Sequence, residues 1–361
     1  RLARNGMRFT NAYSAGTVCS PTRASIITGQ ATARTGCTDW GMGINPQKHF
    51  TFAKALGEGG YQTFFTGKWH IGGTTPANEG FQVAQEISNR GGSKEDPKAT
   101  RKITENTTAF LRGLAPDKPF FAYVNYHAVH TPLRERQDLV ARYAAKAKKS
   151  PPKSAGPGGL EKERNRRNKQ VQNNPAFAAM VEGIDTSVRR ILDALAKAGR
   201  DKNTLILFTS DNGGLSTRPC TSNLPLRAGK GWAYEGGIRV PLIVSWPGHV
   251  KPGSVSDVPV VSMDFYPTFL ELAGLGLRPK EHVDGVSLAG LLTGGKAPDR
   301  DALYWHYPHN HGAGCTPVGA MREGRYKLVH WYGDNTYELY DLQEDLSELK
   351  DLSKKNPELR D

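Results

Sequence analysis

The strongest constraint on the fold is a repeated order along the chain: a short β-rich run, a polar or glycine turn, then a helical pattern. The clearest runs are 62–66, 120–126, 204–209 and 240–246, and two of them are nearly continuous apolar stretches, as strands covered on both faces should be. Phe177, Met180, Ile184, Val188, Ile191, Leu192 and Leu195 recur at helical spacing up to Gly199, and 264–272 before Gly274 reads as a second helix. Such alternation predicts an α/β fold, with a mixed, mostly parallel sheet flanked by helices. After about Pro298 the runs become short and aromatic (302–305, 326–331, 337–340), which predicts a small C-terminal antiparallel sheet with a helix.

With 361 residues the chain can bury a large core. The expected division is a catalytic domain over 1–297 and a subdomain over 298–361. Segment 143–175 is polar and basic, with Lys146, Lys148, Lys149, Arg164 and Arg166 among Pro151, Pro152, Pro157 and Gly158-Gly159, and reads as a solvated insertion loop. Residues 1–5 read as a helix end stopped by Gly6. They lack a signal-peptide pattern, so a targeting signal is expected upstream.

Charge narrows the partners. Lys and Arg number 48 against 35 Asp and Glu, a net +13, which favours anionic ligands. No aromatic and basic interleaving or nucleic-acid motif accompanies it, so nucleic acid is not an expected partner. Four widely spaced cysteines without a CxxC pair exclude a zinc-ribbon pattern and a dense disulfide framework. No apolar stretch reaches the length of a membrane span.

In open α/β sheets ligands gather beyond the carboxyl ends of strands. Three polar segments follow strands: 66–70 with Lys68 and His70, 127–132 with His127 and His130, and 210–214 with Asp211 and Asn212; a fourth, 227–237 with Lys230, precedes one. Ammonium groups, histidines and hard oxygen donors together suit a doubly anionic ester. Cys19 adds a nucleophile: with Ser20 as N-cap and Pro21 as first helical residue, a helix running to Gly29 places it where free amides favour an anion. Arg23 reaches back from one turn on. Taken alone, Cys19 reads as a buried thiol and Asp211-Asn212-Gly213 as a turn.

Cys19-Ser20-Pro21-Thr22-Arg23, Gly67-Lys68-x-His70, His130 before Thr131-Pro132, Asp211-Asn212-Gly213 and Gly229-Lys230 occur in that order over nearly the whole chain. The set resembles the type I, formylglycine-dependent sulfatases of the alkaline-phosphatase superfamily, in particular bacterial arylsulfatase A-like carbohydrate sulfatases. The resemblance implies an alkaline-phosphatase-like fold and oxidation of Cys19 to formylglycine by a formylglycine-generating enzyme. One hydroxyl of the hydrated aldehyde would attack sulfur, and loss of the second hydroxyl's proton would expel sulfate. Arg23 would hold the hydrate, Lys68 and Lys230 would grip sulfate oxygens, His70 would assist deprotonation and His130 would protonate the leaving alcohol. Asp211 and Asn212 would ligate Ca²⁺, with Mg²⁺ as the alternative. An aspartate pair that normally completes the metal site is not found in the sequence, so weak metal binding by these residues alone is expected.

For the substrate, a sulfated saccharide of galactose or N-acetylgalactosamine type is the expected partner, read by His306, His309, His311 and Arg322. The neighbouring Tyr304 and Trp305 read equally as core of the small sheet. The resemblance also implies a periplasmic or secreted location. Two other functions fit the residues: a formylglycine-dependent phosphonate or phosphate ester hydrolase, and a non-catalytic binder of sulfated glycans.

Overall fold

The computed structural model describes residues 1–149, 160–217 and 220–360. Strand Gln62–Gly67 is the centre of a three-stranded parallel sheet between Val83–Glu86 and Phe120–Asn125. Its two adjacent phenylalanines serve opposite faces: Phe64 stacks on Phe110 of helix Thr100–Arg112, while Phe65 points towards Trp69, Phe81 and Tyr123. A second sheet runs Ser254–Ser256, Met7–Phe9, Leu242–Ser245, Ile206–Thr209. Met7–Phe9 is parallel to Ser254–Ser256, and Leu242–Ser245 is antiparallel to both its neighbours. The architecture is thus the expected α/β one, with mixed sheets among helices.

Phe120–Asn125 and Ile206–Thr209 are the end strands of these two sheets, and both line one cavity of about 1970 Å³. Every residue of the two is only partly covered, although 120–126 reads as a fully buried strand. The reason is topological: each has one strand partner among the described residues, and the cavity takes the other side. Helix Pro175–Lys197, capped by the Asn174 side chain on the Phe177 amide with Pro175 in its first turn, walls the cavity through Ile184, Val188 and Ile191. Helices Phe52–Glu58 and Phe265–Leu272 meet through Phe52, whose ring contacts Phe121, Tyr123, Tyr266 and Phe269.

The C-terminal sheet has four antiparallel strands in chain order, Ala302–Tyr307, Val318–Glu323, Tyr326–Trp331 and Thr336–Asp341, followed by helix Pro357–Arg360. Val318–Glu323 is hard to foresee because Gly319, Ala320 and two charges dilute its β pattern; pairing on both sides makes it a strand. Strict alternation buries Leu303, Trp305 and Tyr307 and turns Tyr304 and His306 outward. The buried face shares its core with Tyr13, Trp232, Tyr234 and Ile238.

Two local readings change. Segment 143–175 is not a plain loop: helix Gln137–Lys149 runs into it, and Leu160–Glu163 pairs with Arg166–Lys169 as a hairpin. The charges that suggest a solvated run find partners, since Arg164 lies 3.8 Å from the Trp331 ring centre and pairs with Glu338, while Glu163 pairs with Arg227. Pro151, Pro152, Pro157 and Gly158-Gly159 lie outside the described residues. Gly6 follows a short 3₁₀ turn, Ala3–Asn5, but in extended conformation. A side chain there would strike the Val244 carbonyl, so the glycine permits close strand approach rather than stopping a helix.

Candidate active site

Helix Cys19–Thr28 is buried along its whole length and ends at Gly29, whose left-handed φ of 65° lets its amide bond back to Ser25. Its start is two residues earlier than the sequence suggests. Val18, extended, is the N-cap and Cys19 the first helical residue, and no side chain caps the terminus. Ser20 has a different role: its hydroxyl accepts the Gly41 amide and lies 3.4 Å from His70 Nδ1. Cys19 therefore sits beside buried helical amides that a side chain does not claim, a setting that favours negative charge.

Four groups surround the Cys19 sulfur. Lys230 Nζ lies 2.9 Å away, the thiol donates to Asn212 Oδ1 at 3.4 Å, and His130 and His70 line the same cavity and favour the thiolate. Burial and Asp211 push this thiol's pKa up, yet Lys230 and the two histidines outweigh them and hold it well below the ordinary range. Burial, aided at Cys37 by Asp39 and only partly offset at Cys315 by the Ala233 backbone and Arg164, pushes both of these thiols up to about 12. In protein carrying an unmodified thiol, Cys19 is therefore expected to react with iodoacetamide down to pH values at which Cys37 and Cys315 stay inert. Peptide mapping of alkylation against pH checks this; equal, steeply rising rates at all three would contradict it.

Arg23, one helical turn from Cys19, donates Nε and Nη2 to Asp211 Oδ2 at 2.9 Å each and Nη1 to the Lys68 carbonyl at 2.7 Å. Burial alone would raise Asp211, but Arg23, Lys68 and Lys230 hold its carboxyl far below the usual carboxylate range. Its stabilising contribution is thus present above the unfolded carboxylate pKa and is lost as pH falls towards the depressed one. Burial and Arg23 lower the Lys68 ammonium.

Backbone geometry sets the remaining groups. Gly67, at φ 101°, lies where a side chain would meet the Asn125 carbonyl at 1.8 Å, so only glycine lets the turn carrying Lys68 and His70 approach this strand. His130 donates Nδ1–H to the Thr131 carbonyl at 2.7 Å, which leaves Nε2 for the cavity. His127 Nε2 donates to the Ile87 carbonyl at 2.6 Å, and burial above all pushes its pKa down to about 4, so it is a neutral, fixed ring. Segment 227–235 carries Lys230 and is clamped at both ends. Arg227 holds Glu163, the Tyr340 hydroxyl and the Glu348 carbonyl; Glu235 pairs with the fully buried Lys327, which also pairs with Glu348.

The donor chemistry of Asp211 and Asn212 fits a hard divalent cation, with carboxylate and amide oxygens beside Cys19. They are two donors where Ca²⁺ takes about six to eight. No cluster of three or more His, Cys, Asp or Glu able to hold a metal occurs among the described residues.

The cavity brings together Cys19, Arg23, Lys68, His70, His130, Asp211, Asn212, Lys230 and His311. Of the other expected substrate residues, His309 stands in a layer behind, bonded to Thr38 Oγ1 at 2.9 Å. His306 and Arg322 are placed elsewhere. Strand alternation turns His306 outward onto the Tyr332 hydroxyl, and the same alternation buries Arg322 against Asn11, the Gly324 carbonyl and the Tyr13 hydroxyl. Trp40, Glu86 and Asn89 are among the cavity residues that have no place in the sequence reading. Only Trp40 carries a local signal, an indole between Asp39 and Gly41.

An α/β scaffold that gathers cations, histidines and a buried nucleophile at strand ends defines an enzyme of anionic esters. Residues 1–275 match the Sulfatase family, and residues 228–360 match the family described as N-sulphoglucosamine sulphohydrolase, C-terminal. The chain belongs to the Sulfatase family, which are sulfuric ester hydrolases generally dependent on formylglycine and a metal. It is 39% identical over 259 residues to a sulfatase of Formosa agariphila, covering 67% of this chain and 43% of that relative's length. Human arylsulfatase A is 29% identical over 92% of this chain and 69% of its own. The crystal structure of Ps i-CgsB in complex with k-i-k-neocarrahexaose superposes with a TM-score of 0.81 at 28% identity, covering 99% of this chain and 83% of that one.

Proposed function

We propose that the protein hydrolyses sulfate monoesters of a saccharide, of galactose or N-acetylgalactosamine type, with residues 1–297 as the catalytic domain and 298–361 as a subdomain that braces it. The observation that carries this reading is the Cys19 sulfur at an uncapped, buried helix N-terminus, with Lys230 Nζ at 2.9 Å and His70 and His130 lining the same cavity. Oxidised to formylglycine and hydrated by addition of water to the aldehyde, residue 19 would supply a hydroxyl nucleophile placed where this sulfur lies. A Ca²⁺ ion held in part by Asp211 and Asn212 would add positive charge beside it.

The chain's own residues account for the rest. Lys68 and Lys230 bind and orient the sulfate, offsetting charge that moves onto its oxygens. Arg23 fixes Asp211 and, through the Lys68 carbonyl, the turn that bears Lys68 and His70. His70 takes a proton from residue 19, and His130, as an imidazolium whose Nδ1–H is held by the Thr131 carbonyl, gives its Nε2 proton to the departing alcohol oxygen. A saccharide substrate is supported by the neighbouring structure in complex with k-i-k-neocarrahexaose. A formylglycine-generating enzyme is the required partner, and a periplasmic or secreted location suits a polymeric anionic substrate.

Parallel kinetics on a sulfate ester and a phosphonate ester of one alcohol test the reading. The protein with residue 19 oxidised is expected to show the larger kcat/KM on sulfate. A larger value on phosphonate would transfer the assignment to the phosphonate hydrolase reading.

A further inference from the structure

Trp40 is 64% exposed, the most exposed large aromatic side chain among the described residues, and it lines the catalytic cavity. An indole left in water is unusual, because burial of its large apolar face is favourable. The loop beneath it is not loose. The Trp40 amide donates to Asp39 Oδ1 at 2.7 Å, and that oxygen also accepts the Tyr307 hydroxyl at 2.8 Å. Thr38 bonds to His309, and Gly41 donates to Ser20, the residue next to Cys19. Gly43 and Gly72 form a bridge where any side chain on Gly43 would clash with backbone. The backbone is thus fixed to the nucleophile helix, to strand Ala302–Tyr307 and to the turn after His70, while the Trp40 ring stays uncovered.

From this we infer that Trp40 is a stacking platform for the saccharide ring that carries the sulfate, and hence a specificity-determining residue. The inference rests on the sulfate-ester reading and deepens it. The Trp40 ring centre lies 6.1 Å from that of His70, with an interplanar angle of 32°, so a ligand anchored by its anion at Lys68 and Lys230 places its next few atoms along the indole. A pyranose matches that surface, offering an apolar C–H face to the ring and hydroxyls at its rim to Glu86, Asn89 and His311. His309, bonded to Thr38, then braces the platform rather than touching the ligand.

Calorimetric titration tests the inference without turnover. The ligands are inorganic sulfate and the tightest binder among galactose 6-sulfate, N-acetylgalactosamine 6-sulfate and glucosamine 6-sulfate. Trp40→Ala is expected to weaken the saccharide about 10- to 30-fold, as truncation of a central aromatic contact does, with sulfate affinity unchanged. Trp40→Phe should restore most of the loss. An equal loss for sulfate and saccharide, no loss for either, or no saccharide binding by the unaltered protein would overturn the platform. Failure of the sulfate-ester reading shows separately, as intact saccharide binding without sulfate release.

Discussion

Lys327→Met is expected to destabilise the folded protein by about 3–5 kcal/mol, the usual cost of stripping one partner from a buried ion pair. Lys327 has no exposed surface and lies 3.0 Å from Glu235 Oε1 and 2.8 Å from Glu348 Oε1, two carboxylates that are themselves fully buried. Without the ammonium, their neighbours are Arg239, Tyr13 and the Glu235 amide, too little for two charges. Urea denaturation at pH 7 measures the loss, and a change under 1 kcal/mol would contradict the network's role. Adding Glu235→Gln and Glu348→Gln should recover much of it.

The pH dependence follows with a definite sign. Burial and the Glu235 charge, partly offset by Lys327, push Glu348 up to about 7. A carboxyl raised above its unfolded value of about 4.3 contributes stability that is present at low pH and lost as pH rises through the folded value. The penalty of Lys327→Met should accordingly be larger at pH 8 than at pH 5. Because Glu235 closes the segment that carries Lys230, the variant should also loosen the cation nearest Cys19.

Cys19→Ala is expected to lower turnover of a sulfate ester by roughly 10⁴-fold or more, since the nucleophile acts as a unit with its acid and base and its loss removes the shared pathway. Little stability should be lost with it. The side chain is small and lines the cavity, so its removal leaves helix Cys19–Thr28 and its Arg23–Asp211 anchor in place.

Much of this site was legible because sulfate chemistry leaves compact marks: a pentapeptide at a helix start, lysine and histidine turns after strands, and a carboxylate with an amide. The structure gathers those turns around one sulfur. What the sequence could not show depends on long-range pairing. Whether Tyr304 and His306 or Trp305 and Tyr307 face the core is a matter of strand register, which also decides that Arg322 is bound inward to Tyr13. The hairpin Leu160–Glu163 with Arg166–Lys169 reads as solvated because its partners, Trp331 and Arg227, are distant in the chain. Val18 as N-cap has no side-chain signal, since an extended backbone rather than a capping group defines it. Trp40 was missed for the same kind of reason: exposure is a property of the folded loop.

The central claim is that residue 19, oxidised to formylglycine, cleaves a sulfate ester. Its most direct test measures free sulfate released from a sulfated saccharide alongside the mass of the peptide containing residue 19, in preparations with different degrees of modification. Sulfate release should rise in proportion to the oxidised fraction and vanish in Cys19→Ala. Full turnover by protein whose residue 19 is entirely thiol, or by the alanine variant, would contradict the claim.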